Sequence, residues 1–425
     1  MTWRAIIAGL ALVFGLGAAP ASEMTLVRGA RVFDGSGRDA EVRDVLVRGD
    51  RIVSVGRNLR LPRGATLIDA SGLTMIPGIH DLHIHTGRSA FLSPEALHQA
   101  YRPYLEHGVT SVNEYSVSPE MLADIRAKEL PTAAPRLRLA ARMGVPHGHG
   151  TESDFTDSIT AKVTTPAEAH AAMRAVLRSK PDLIKVFADG WRYGRDEDRP
   201  DMDLPTLSAI VKDARKAGVP VVTHTVTLAG AKTAARAGVN ALVHGIGDAP
   251  VDEELIRLMK RSKTAYVPTL AVYEPQQTRA FLPEEWAMLS PDAKAREEGR
   301  RSATAQPLRD YEARRWEIMK ANARALHDAG IRIGIGTDTG IGGVYPGSAA
   351  IREMRLLASL GIEPREVLLA ATSGAAAIIG KGREEGRIAR GRSADFVLVL
   401  GKPDERIEDL YRVWHVFVGG RRVIP

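Results

Sequence analysis

Six side chains spread over 255 positions of this sequence, His83, His85, Lys185, His224, His244 and Asp338, are of types that hold divalent cations. The first two lie in His83-Ile84-His85. Residues two apart on a strand face the same way, so both imidazoles can reach one ion. The same spacing would also suit two histidines on a half-exposed strand. His224, His244 and Asp338 each close a run of apolar residues and meet a turn or a glycine. One histidine at such a place is commonly a hydrogen-bonded core residue; a succession of strand ends carrying His or Asp points instead to a metal centre. The sequence has 0 cysteines, so a site here would use imidazole, carboxylate or a modified lysine, a donor set suited to borderline or harder divalent ions.

Lys185 is the unusual member. It sits in Leu183-Ile184-Lys185-Val186-Phe187, an apolar strand in which a charged amine is costly. One account has its stem buried and its ammonium reaching solvent. The other has burial lowering its pKa, so that the neutral amine takes up CO2 and becomes a carbamate. A carbamate has two oxygens and can bridge two cations.

The elements that must position these groups alternate regularly. Strand-like runs fall at 79–85, 109–115, 136–143, 182–187, 219–225, 241–246, 264–270 and 332–338, with amphipathic stretches such as 165–179, 204–217, 252–263 and 312–329 between them. Eight repeats of strand then helix predict an α/β protein of the closed (β/α)8 TIM-barrel type, whose chemistry sits at the C-terminal ends of the strands. The candidate ligands occupy that end in five of the eight. Short β-like runs at 25–29, 44–48 and 51–55 return in kind at 394–399 and 413–420, which predicts one small β domain built from both chain ends. The polar stretch 274–309, after the seventh strand, is an insertion at the active-site end, either a lid or a surface excursion.

Length and composition fit this plan. The 425 residues suffice for one large domain and a smaller companion, and 44% hydrophobic with 26% charged content is ordinary for a globular chain. The net charge of +7 comes from scattered Lys and Arg against 51 acidic residues, with no basic block interleaved with aromatics, and this argues against a nucleic-acid partner. Arg4 precedes an apolar run from Ala5 to Ala19, followed by Ala19-Pro20-Ala21, which reads as a secretory signal peptide (1–21) cut after Ala21. The run is short for a membrane span, so no stable anchor is expected after cleavage; an uncleaved N-terminal anchor is the alternative.

The string Pro77-Gly78-Ile79-His80-Asp81-Leu82-His83-Ile84-His85, with Lys185, His224, His244 and Asp338 in order, resembles the amidohydrolase superfamily, in particular its imidazolonepropionase-like and prolidase-like metal-dependent hydrolases. Ile68-Asp69-Ala70-Ser71-Gly72 and the segment Gly386 to Phe396 match as well, so the likeness covers almost all of the mature chain. It implies that 22–78 and 386–425 form a composite β-sandwich around a barrel at 79–385. It further implies that His83, His85 and Asp338 hold the more buried of two divalent ions, that His224 and His244 hold the other, and that a CO2-derived carbamate on Lys185 bridges them. A hydroxide shared by the ions would attack the substrate carbonyl, and Asp338 would be the catalytic proton carrier. Zinc is the default metal, with manganese or cobalt as alternatives.

The sequence departs from its dipeptide-cleaving relatives in one place. They often carry an aromatic hydroxyl two residues after the fifth-strand histidine, where this chain has Val226. His147 and His149 sit near where the family contacts substrate, with a loop-packing role as the alternative. Trp191 and Tyr193 follow Lys185 and would either line the pocket or cap the barrel. His98, His107, His170, His327 and His415 read as structural.

The expectation is therefore an exported, periplasmic, metal-dependent hydrolase of a small molecule's amide or peptide bond, with dipeptidase action as the leading substrate class. Cyclic-amide, lactone, phosphotriester and mycotoxin hydrolysis would use the same metals, and a non-catalytic secreted binding protein is the competing class. Self-association is left open.

Overall fold

The apolar strand runs close into a parallel barrel, with helices between them that carry the chain back, five of them started by a side-chain cap. The computed structural model describes residues 24–129, 133–303 and 308–424, so the expected signal peptide lies outside the described residues. The barrel strands are Ile79–Ile84, Val109–Glu114, Arg136–Gly144, Leu183–Phe187, Val221–His224, Ala241–Val243 and Ala265–Val267, each pairing in parallel with the next. Helix starts between them are set by side-chain caps. Ser93, Thr165, Asp203, Thr227 and Asp252 each accept a hydrogen bond from a backbone N–H in the first turn of the helix that follows.

The eighth position is filled without a regular strand. Tyr266 N–H donates to Arg332 O and Gly334 N–H to Tyr266 O on one side, both at 2.9 Å. On the other side Leu82 N–H donates to Ile335 O (2.8 Å) and Asp338 N–H to His83 O (2.7 Å), which joins the segment to the first strand. A Cβ at Gly336 would lie 2.6 Å from a Val267 methyl and 3.1 Å from His83 Cβ, so a glycine is needed where this segment crowds both neighbours.

The strands Ala241–Val243 and Ala265–Val267 are shorter than their apolar runs suggest, and there, as at the end of the eighth segment, the chain leaves the ladder just where the functional side chains begin. His244 has φ +86°, Thr269 φ +48° and Asp338 φ +60°, left-handed values that end a strand. Apolar runs measure what is buried, and burial continues past the last ladder bond.

Both chain ends share one mixed sheet. Its order is Arg421–Ile424, Val413–Val418, Phe396–Leu400, Leu73–Pro77, Met24–Val32, Glu41–Arg48, Arg51–Gly56, with Thr66–Asp69 also pairing with Met24–Val32. The antiparallel pairing of Phe396–Leu400 with Leu73–Pro77 brings the two ends together. A separate apolar core, including Val27, Val45, Ile52, Met75 and the stacked rings of Phe396 and Phe417, holds this domain. Arg136 reaches across from the third barrel strand to Asp395 at 2.7 Å.

The insertion after the seventh strand folds into the helices Pro283–Met288 and Pro291–Ala303. Its first half is fixed to the helix Ser348–Ser359 by buried ion pairs, Arg352 to Glu274 (2.6 Å) and to Glu285 (2.8 Å), with Arg355 also on Glu285. Among the described residues no helix is long and apolar enough to cross a membrane.

Candidate metal centre

The first and eighth barrel segments are braced against each other directly beneath the candidate ligands. The buried Asp81 carboxylate accepts the N–H of His83 (3.2 Å) and both the N–H (3.1 Å) and the hydroxyl (2.7 Å) of Thr337. Burial pushes the Asp81 carboxyl up to about 7. The brace fixes the backbone on which His83 and Asp338 stand. Asp81→Ala leaves the buried His83 N–H without this acceptor, while Thr337 keeps its longer bonds to the His83 carbonyl (3.3 and 3.4 Å) and its contact with the Thr339 hydroxyl; a buried donor left unsatisfied costs about 1–3 kcal/mol. The expected loss is about 1–3 kcal/mol in urea unfolding; a loss under about 0.5 kcal/mol would contradict the bracing role.

Above the brace, three ligand-capable groups converge. His83 Nε2 and His85 Nε2 are 3.1 Å apart and lie 3.2 and 3.0 Å from Asp338 Oδ1. Two imidazole nitrogens and a carboxylate oxygen within one small volume form a set that could hold a metal ion. The ring of His85 is oriented from behind by Ser116 Oγ, 3.0 Å from Nδ1. His83 stacks on Tyr115, with centroids 4.4 Å apart.

His244 and His224 continue the arc. The His244 ring is 4.7 Å from that of His83 and 4.5 Å from that of His224. His244 Nδ1 lies 4.0 Å from Asp338 Oδ2 and 3.0 Å from Thr269 Oγ1. His244, Thr269 and Asp338 all have left-handed backbones, and such conformations cluster where surrounding structure holds a functional geometry.

Lys185 is wholly buried, and its Nζ has no hydrogen-bond partner. It lies 5.2 Å from the centre of the Tyr115 ring that backs His83 and 5.4 Å from that of Phe187, so its end does not reach solvent. His224 Nε2 is likewise buried and unpartnered. Two bare polar atoms beside a histidine cluster fit a site that receives cations or added oxygens.

Electrostatics agree with this. Burial brings the Lys185 ammonium down to about 7, although Asp338 pulls the other way. Burial also brings His83 to about 3 and holds His224 and His244 well below the usual imidazole value, so all three present neutral, metal-binding rings at physiological pH. For Asp338 burial works upward, but His83, then His85 and His244, outweigh it and keep the carboxyl well below its usual range.

His83, His85, His224, His244 and Asp338 line a cavity of about 460 Å3 that also includes His149, Arg142, Phe187, Tyr193, Tyr273 and Arg315. His149 lines it with its ring 4.0 Å from that of His224 and Nδ1 2.6 Å from Glu152. Tyr193 lines it as well. His147 is exposed and lies outside this cavity, and Trp191 stands behind Tyr193 at 5.3 Å. His98, His107 and His170 bond to the Ala133 carbonyl, the Pro103 carbonyl and Asp213, and His327 pairs with Asp328 and Glu366; none of them lines the cavity.

Several groups at the site escape sequence reading. Arg142 is buried, level with Lys185 in the strand register, and stacks on Phe187 at 4.6 Å. It carries the same signal as Lys185, a charge inside an apolar strand. Asp189 also stands out by chemistry: buried, it accepts from the N–H groups of Trp191, Val226 and Thr227 and so ties the loop after Lys185 to the turn after His224. Ser116, Thr269, Tyr273 and Arg315 carry no such signal.

A parallel barrel with a His-His-Asp cluster at the C-terminal end of its strands defines a metal-dependent barrel hydrolase. The amidohydrolase family profile matches residues 74–423, and the chain belongs to that family. Among solved structures it is similar to a putative prolidase from Bifidobacterium longum, with 26% identity and a TM-score of 0.75 over 95% of both chains. It is also similar to a Xaa-Pro dipeptidase with methionine bound in its active site, with 22% identity and a TM-score of 0.75 over 94% of this chain and 99% of that one. An N-acyl-D-aspartate deacylase from Alcaligenes xylosoxydans xylosoxydans is 38% identical over 94 residues, 22% of this chain. That match spans 18% of the deacylase, so this chain aligns with about a fifth of the curated relative's length.

Proposed function

We propose that this protein is a binuclear amidohydrolase that cleaves the amide or peptide bond of a small substrate, with a dipeptide as the leading candidate. In this reading His83, His85 and Asp338 hold the more buried ion, His224 and His244 hold the second, and a carboxylated Lys185 supplies the anionic group between them. Zinc is the expected metal. Divalent ions in such a site polarise a carbonyl and make water nucleophilic at neutral pH. The chain's own part is to fix the ligands, exclude bulk water and move one proton. Asp338 has Oδ1 against His83 and His85, and Oδ2 turned toward His244. In this reading it takes a proton from the attacking water and delivers it to the leaving amine.

The observation that carries this reading is the buried, unpartnered Lys185 amine beside a ring of neutral histidines. A lysine kept only for packing would cost desolvation with nothing gained, whereas a carbamate there completes a two-ion donor set. The dipeptidase preference is supported by the likeness to a putative prolidase, and the periplasmic location by the leader-like apolar run from Ala5 to Ala19.

The test combines metal analysis with hydrolysis of dipeptide, cyclic-amide and lactone panels. The expected result is about two ions per chain, with amide cleavage that is lost on chelation and restored by zinc. A metal-loaded protein that hydrolyses nothing in the panels would overturn the proposal in favour of a binding protein.

A further inference from the structure

Four arginines line the cavity above the histidines, Arg142, Arg192, Arg195 and Arg315, against two carboxylates, Glu152 and Asp338. Arg192 is paired with Glu152 at 3.3 Å, and Asp338 belongs to the candidate metal cluster. Arg142 donates to the carbonyls of Gly150 and Tyr115. Arg195 is exposed, with its guanidinium 5.3 Å from the Tyr193 ring.

Arg315 differs from all three. It is half-buried, its Nε is fully buried without a hydrogen-bond partner, and among the described residues no carboxylate pairs with it. Its guanidinium lies over two tyrosine rings, 5.1 Å from Tyr193 and 5.9 Å from Tyr273. Those tyrosines bond to each other through their hydroxyls at 2.9 Å. The Tyr273 ring is in turn 6.1 Å from that of His244, so the arginine stands one aromatic ring away from the candidate metal ligands. The approach is built in: a Cβ at Gly247 would meet Arg315 Cγ at 2.7 Å, so only glycine admits the arginine stem.

A guanidinium held by stacking on neutral rings keeps its in-plane donors free, and these match the two oxygens of a carboxylate. The phenol hydroxyls beside it can add a third donor. The turn after His224 offers no competing group, since Val226 is buried and apolar.

We propose that Arg315, with the hydroxyls of Tyr193 and Tyr273, forms a carboxylate subsite, so that the substrate is an amide bearing a free carboxylate on the far side of the scissile bond from the catalytic floor. This rests on the amidohydrolase reading and narrows it from small amides in general to N-acyl amino acids and short peptides with a free C-terminus. Arg315 acts here as a specificity residue, and neutral amides of the same shape leave it unpaired.

The test compares N-acetyl-L-proline and N-acetyl-L-phenylalanine with their carboxamides on the zinc-loaded protein, by calorimetry for ligands that are not cleaved and by kcat/KM for those that are. Wild type is expected to prefer at least one carboxylate over its carboxamide by about 10- to 100-fold. That ratio falls toward one in Arg315→Gln, and Arg315→Lys recovers part of it. Metal content and circular dichroism of each variant verify the fold. A ratio near one in wild type for both pairs, or a ratio that survives in Arg315→Gln because the metals alone bind the carboxylate, overturns the subsite. Hydrolysis of peptide amides by wild type, assayed in parallel, separates the two claims. Cleavage without carboxylate preference removes the subsite alone, whereas Arg315-dependent preference without any cleavage removes the amidohydrolase reading and leaves the subsite standing.

Discussion

Asp338→Asn is expected to lower kcat/KM by about four orders of magnitude, the upper end of what one proton-transferring group contributes. Asparagine keeps the shape of the side chain but presents an amide with no basic oxygen, and if its nitrogen faces His83 and His85 it meets two ring nitrogens 3.2 and 3.0 Å away. It should also weaken metal binding by about 10- to 100-fold, because the one carboxylate of the cluster is lost. Backbone strain does not confuse the result, since Asp338 has φ +60° and asparagine tolerates that conformation nearly as well as aspartate. The variant should therefore fold, take up metal at raised concentration and remain inactive at metal saturation. Retention of more than about a tenth of wild-type activity at saturation would show that the proton moves by another route.

The second large effect is expected at Lys185. Lys185→Ala removes a wholly buried amine and, if the proposed carbamate forms on it, should reduce activity by about a thousandfold or more through loss of that anionic ligand. It should also leave room for a small carboxylic acid, so acetate or formate would restore part of the activity. The unmodified protein gives a second readout. Neutral amine is the form that reacts with CO2, and burial brings the ammonium down to about 7, so an appreciable fraction is reactive at neutral pH. Protein stripped of metal at low pH and reloaded with zinc in CO2-free buffer should recover poorly until bicarbonate is added. A carbamate carbon signal after 13C-bicarbonate treatment, absent in Lys185→Ala, would identify the adduct. Full recovery without bicarbonate would mean that the amine itself, or a water, fills that place.

How much of this was legible depended on whether the signal was local. The barrel and the shared sheet of the two chain ends could be read because apolar runs and turn residues recur at regular spacing, and period is a local property. The convergence of His83, His85 and Asp338 followed from barrel geometry once each was placed at a strand end. Backbone reversal at His244 and Thr269 could not be read, since nothing in the neighbouring residues marks a left-handed histidine or threonine. The irregular eighth segment reads as an ordinary strand in Gly334-Ile335-Gly336-Thr337-Asp338 because its glycines answer to side chains that arrive from Val267 and His83. Asp81, Arg315 and the ion pairs that hold the insertion to Arg352 depend on partners or rings 42 to 256 positions away. Opposite charge and aromatic type are too common in a sequence to single out such pairs.

The shared sheet sets an order of events for the nascent chain. Leu73–Pro77 runs straight into the first barrel strand, yet its partner Phe396–Leu400 is synthesised only after the whole barrel. Until that partner arrives, one edge of Leu73–Pro77 exposes unpaired backbone next to apolar residues, the kind of edge on which chains aggregate. A protein clipped or terminated before residue 396 would carry every candidate metal ligand and still lack the strand that closes its smaller domain. Shielding such a chain until that strand emerges is a task for a chaperone, and it grows with the time the strand takes to emerge.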